Sequence, residues 1–111
     1  MKPSPEPGKI MNITVTAPDK AWLSDLATRL IDQRLAASAN ITPIESIYRW
    51  EGQVHTSNEA LLTIRTQPQH FKAIQAIVKD EHPYQTPHIL GHHINDSDPD
   101  YTQWVIESTN Q

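Results

Sequence analysis

The nine prolines are the feature that most constrains how this chain can fold. Proline lacks a backbone N–H and holds φ near about −65°, so it begins, interrupts or ends helices and strands more readily than it continues them. Three prolines lie in residues 1–9, and the others are Pro18, Pro43, Pro68, Pro83, Pro87 and Pro99. Residues 1–9 also lack a periodic apolar pattern, which predicts a flexible leader followed by a single folded domain over residues 10–111.

An alternation of period two opens the predicted domain. Met11, Ile13 and Val15 alternate with polar residues, a pattern typical of a half-buried strand, and Pro18 ends it. Asp19 is suited to cap the helix that follows. The apolar residues at helical spacing in that helix are Leu23, Leu26, Ala27, Leu30 and Ile31.

The stretch 35–66 is rich in β-branched and aromatic residues around a single glycine, Gly52. This composition predicts a long β-hairpin whose arms could project beyond the rest of the domain. Pro43 interrupts the first arm, so that arm is expected at the edge of the sheet, where a bend or bulge is permitted.

Pro68 suits the first turn of a second helix, and Pro83 ends it. The apolar stripe of this helix consists of Phe71, Ile74 and Val78.

A last strand is predicted over residues 89–94, and a short helix follows from Asp98. The apolar residues at i, i+3 and i+4 of the short helix are Tyr101, Trp104 and Val105.

The order strand, helix, strand, strand, helix, strand, with a final helix, predicts an α+β fold of the ferredoxin-like split βαβ type. Two long helices can cover only one face of such a sheet. The other face would carry Tyr48 and Trp50, so an uncovered apolar face indicates self-association into a closed oligomer.

Composition excludes several classes of function. A net charge of −4 and a pI near 5.8 argue against a nucleic-acid partner. No cysteine is present, and three glycines are too few for a glycine-rich phosphate loop, so no organic cofactor is expected. No apolar run approaches about 20 residues and the N-terminus lacks the apolar middle of a signal peptide, which predicts a cytoplasmic protein without membrane contact.

Two groups of histidines invite functional hypotheses. If residues 88–93 form a strand, His92 and His93 point to opposite faces, and His88 lies about 13 Å from His92, so a metal site within one chain is disfavoured. A site shared across subunits stays open. His82 and Tyr84 lie in a loop stiffened by two prolines, which either presents them in a fixed geometry or merely connects helix and strand.

The chain resembles the CutA divalent-cation tolerance family over residues 11 to 109. The motifs that carry the resemblance are Thr16-Ala17-Pro18-Asp19, Leu35-Ala36-Ala37, Ser46 to Gly52, Glu59 to Thr66, His82-Pro83-Tyr84 to Pro87, and Tyr101 with Trp104. The resemblance implies a ferredoxin-like homotrimer, similar to the PII signalling proteins, in which the long hairpins of neighbouring subunits pair. It also implies a link to tolerance of copper and other divalent cations, with no established enzyme activity.

The resemblance also implies where a metal would bind. Bacterial members are associated with copper through a cysteine before the T-A-P motif and histidines before the P-Y pair. Here those positions hold Val15, Glu81 and His82. His82 is therefore the predicted metal ligand, and without thiolate or a second imidazole the predicted binding of copper or another divalent ion is weak.

A second hypothesis is a PII-like sensor or scaffold trimer that binds a small ligand. The residues that match the family's recurrent polar positions near subunit boundaries are Ser38, Trp50, Glu59, Arg65 and Tyr84. The planar guanidinium of Arg65 could hold the carboxylate or phosphate of an anionic ligand. Alternatively, Glu59 and Arg65 simply pair with each other and stabilise the strand register.

Overall fold

The computed structural model describes residues 9–110 as a four-stranded sheet with three α-helices. The elements are β1 (Met11–Ala17), α1 (Lys20–Asp32), β2 (Ser38–Trp50), β3 (Gln53–Thr66), α2 (Phe71–Glu81), β4 (Ile89–His93) and α3 (Pro99–Ser108), with a 3₁₀ turn (Pro68–His70) before α2. The strand order is β2-β3-β1-β4, and neighbouring strands are antiparallel. This arrangement confirms the ferredoxin-like α+β prediction.

One face of the sheet packs against α1 and α2. Ile13 and Val15 of β1 and Leu62 and Ile64 of β3 are fully buried there, as the period-two pattern of β1 predicts. The helices contribute Leu23, Leu26, Ala27, Leu30, Ile74 and Val78 to the same core. Ile31 does not follow this pattern: it lies in the last turn of α1 and is 40% exposed.

Caps at both ends of the fold match local sequence signals. The side chain of Asp19 accepts a hydrogen bond of 2.8 Å from the backbone N–H of Ala21 at the start of α1. Asp98 accepts from the N–H of Tyr101 at the start of α3. Such caps satisfy N–H groups that have no partner within the helix.

The long hairpin is regular along its whole length. Its register runs without interruption from the Ser38–Arg65 pair to the Trp50–Gln53 pair. Pro43 pairs with Ala60 and no bulge forms, because β2 is an edge strand that tolerates a missing donor. The connecting residues Glu51 and Gly52 both have positive φ, +52° and +79°, which is the geometry of the type I′ hairpin turn.

The hairpin extends well beyond the helices. The described part of the chain measures 56 × 25 × 22 Å along its principal axes, and Ile47 and Val54 near the hairpin tip are 67% and 66% exposed. This confirms the expected projection and leaves large apolar side chains on the surface of a single chain.

The three apolar residues at i, i+3 and i+4 of α3 are not all buried. Val105 is buried against Ile10 and Ala37 at the end of the sheet. Tyr101 and Trp104 instead lie on the outer side of α3, 39% and 46% exposed, with ring centroids 5.7 Å apart. The helix presents Thr102 rather than an aromatic ring to the core, and the Thr102 hydroxyl donates to the carbonyl oxygen of Asp98 one turn earlier.

The predicted leader falls almost entirely on residues 1–8, which lie outside the described residues. Its composition supports a simple expectation. Deleting residues 1–9 should change Tm by less than about 2 °C, because the segment offers little apolar area to bury. Thermal unfolding followed by circular dichroism measures this, and a large drop in Tm would show that the leader packs on the domain.

Candidate functional site

The candidate site lies on the open face of the sheet, on the side away from α1 and α2. Strand register places side chains on this face in rows across the four strands. Ser38, Arg65, Asn12 and His92 form one such row, because Arg65 pairs with both Ser38 and Asn12 and Asn12 pairs with His92. We call these four residues the polar row.

The polar row contains two buried groups without partners. Within the described part of the chain, neither Ser38 Oγ nor Asn12 Oδ1 has a hydrogen-bond partner. Arg65 Nη1 donates to Asn40 Oδ1 at 2.8 Å. Of the five predicted ligand-binding residues, Ser38 and Arg65 therefore come together here.

The other three predicted ligand-binding residues line a cavity of about 880 Å³ between the hairpin and the loop before β4. Trp50, Glu59 and Tyr84 contribute to its walls. Tyr48, Leu61 and His88 also line it, and we call the space enclosed by these six side chains the trough. The structure thus divides the predicted set between two neighbouring parts of the open face.

Tyr84 joins the loop to the hairpin across the trough. Its hydroxyl donates to Glu59 Oε2 at 2.8 Å. Burial raises the pKa of Tyr84 to about 12, and the hydrogen bond to Glu59 adds to the shift. The phenol therefore stays neutral and remains a donor throughout the physiological range of pH.

The suggested pairing of Glu59 with Arg65 is wrong. Glu59 accepts from Tyr84, whereas Arg65 donates to Asn40. Both lie on β3 six residues apart, a separation of about 20 Å along an extended strand, so their side chains cannot meet. Register in the hairpin is stabilised by its continuous backbone ladder instead.

His82 is a buried residue whose ring nitrogens are both engaged. The backbone N–H of Tyr84 donates to Nδ1 at 2.9 Å, and Nε2 lies 2.7 Å from the carbonyl oxygen of Thr16. Because an N–H only donates and a carbonyl only accepts, these partners require a neutral imidazole with its proton on Nε2. The ring also packs edge-on against Trp22, 5.1 Å between centroids.

The other two positions implied by the copper-binding motif have structural roles. Val15 is fully buried in the core beneath the helices. Glu81 forms a bidentate ion pair with Arg29 of α1, with distances of 2.5 and 3.1 Å, and this hydrogen bonding lowers the pKa of Glu81. Neither side chain is free to join His82 around a metal ion.

The second histidine group is spread across the sheet, as strand geometry predicts. His88 and Thr14 share a hydrogen bond of 2.9 Å on the open face, where His92 also lies. Burial lowers the pKa of His88; the negative charge of the nearby Glu59 opposes this shift, and His92 adds to it. Within residues 9–110, no three His, Asp or Glu side chains gather closely enough to hold a metal ion.

Comparison with known proteins identifies the family. The family model described as "CutA1 divalent ion tolerance protein" matches residues 11–108, which is nearly the whole of the described chain. The chain belongs to the CutA1 family. Sequence resemblance and structure therefore agree on its membership.

Individual relatives support the same conclusion. The divalent-cation tolerance protein CutA of Escherichia coli (strain K12 / DH10B) is 36% identical over 97 residues, covering 86% of this chain and 87% of that protein. Solved CutA1 from Oryza sativa has a TM-score of 0.88 and 36% identity, covering 95% and 97% of the two chains. A protein from Archaeoglobus fulgidus described as periplasmic divalent cation tolerance protein CutA has a TM-score of 0.88 at 31% identity, covering 91% and 99%.

Sequence reasoning missed several residues that shape this CutA1 site. Asn12 and Ser57 on the open face were not singled out, and Tyr48 was recognised only as an exposed aromatic residue. Their positions alternate with core-facing residues, so the period-two pattern was the signal that could have placed them on one face. None of the described helices is long and apolar enough to cross a membrane.

Proposed function

We propose that this CutA1 chain acts in tolerance of divalent cations as a non-enzymatic, cytoplasmic homotrimer that binds ions such as Cu(II) weakly. Family membership over residues 11–108 is the observation that carries the proposal. The relatives are described as divalent-cation tolerance proteins.

The trimer is supported by features that a single chain leaves incomplete. β2 and β4 are the two edges of the sheet, and an edge strand exposes unpaired backbone groups. Ile47 and Val54 add exposed apolar surface on the projecting hairpin. Pairing of hairpins between copies would satisfy the backbone groups and bury the apolar surface at the same time.

The hydrogen bonds and exposure of the histidines support weak rather than tight metal binding. A metal at His82 would have to displace either the Tyr84 N–H from Nδ1 or the Thr16 carbonyl from Nε2. Exposed His92 and His93 have no such competing hydrogen bond within residues 9–110. One or two imidazoles with water complete only a weak site for Cu(II), Ni(II) or Zn(II).

Calorimetric titration of Cu(II) into the protein tests this assignment. Binding should have a Kd of about micromolar or weaker, should be unchanged in His82→Ala, and should be lost in a variant with alanine at His88, His92 and His93. Because protons compete with metal for imidazole, affinity should fall as pH is lowered from about 7.5 to 5.5. Submicromolar affinity that disappears in His82→Ala would contradict the assignment.

A second candidate function is a sensor or scaffold of PII-like plan that binds a small ligand. The trough favours it, because folding brings together Trp50, Glu59 and Tyr84 from the hairpin and the loop around one cavity. An anionic ligand held through Arg65 would lie outside the trough, in the polar row. Loss of phosphate or citrate binding in Arg65→Gln, with Arg49→Gln as the control, would support an anionic ligand bound at the polar row.

A further inference from the structure

We draw no further inference here: the strongest candidate, the exposed aromatic patch formed by Tyr101 and Trp104 on the outer side of α3, supports no proposal, because nothing in the structure shows what covers it.

Discussion

The purified chain at micromolar concentration is expected to scatter light with a mass of about 38 kDa, three times the 12.6 kDa of one copy. A monomer leaves both edges of the sheet unpaired and the hairpin projecting with Ile47 and Val54 exposed. Association adds stability that depends on protein concentration, so Tm should rise as the protein is concentrated. A mass of about 12 to 13 kDa would contradict the trimer.

A charge placed on the hairpin tests which surface carries the association. Ile47→Asp should shift the particle toward monomer and lower Tm, because burying an unpaired carboxylate between copies costs several kcal/mol. Ser24→Asp adds the same charge on the exposed side of α1 and should leave the mass unchanged. Equal behaviour of the two variants would show that the hairpin is not the contact.

His82→Ala is expected to destabilise the domain by about 2–4 kcal/mol. The substitution removes two hydrogen bonds, to Thr16 and from Tyr84, at about 1 kcal/mol each, and leaves a buried cavity beside Trp22. For a domain of this size the loss corresponds to a fall in Tm of about 9–17 °C. The loop should also become mobile, since His82 ties Tyr84 to β1.

His93→Ala is the matched control for this prediction. His93 lies on β4 and is exposed, so its removal should change stability by no more than about 0.5 kcal/mol. Urea unfolding monitored by fluorescence measures both variants. If His82→Ala were as stable as the native chain, the hydrogen bonds of its ring would not be structural and a role in metal binding would gain weight.

Local signals in the sequence predicted the helices and strands well because each signal acts on a short stretch of the chain. Pro18, Pro68 and Pro83 act on their own segments, and the capping side chain of Asp19 reaches an N–H only two residues away. The hairpin followed in the same way from its β-branched composition and Gly52. Family resemblance then supplied the candidate site residues, which the structure places on β2, β3 and the loop before β4.

Which side chains contact one another could be seen only in the tertiary structure. Glu59 and Arg65 were a reasonable ion pair by charge alone, yet β3 holds them about 20 Å apart. Likewise, the spacing of Tyr101, Trp104 and Val105 showed which residues share one side of α3, but only Val105 packs on Ile10 and Ala37 while both rings point outward. The periodicity of apolar residues shows that a helix or strand has an apolar face, but it does not show which neighbouring element covers that face.

By itself the sequence determined the order of strands and helices, the edge position of β2 and the absence of thiolate chemistry, because each depends on residue type or short-range geometry. Only the tertiary structure decided that His82 bonds to Thr16 and that Glu59 accepts from Tyr84, since these partners are 66 and 25 residues apart in the chain. Side chains so distant meet only when strand register and loop closure together place them on one face. For that reason the trough, where Tyr84 of the loop meets Glu59 of β3, becomes visible only in the folded chain.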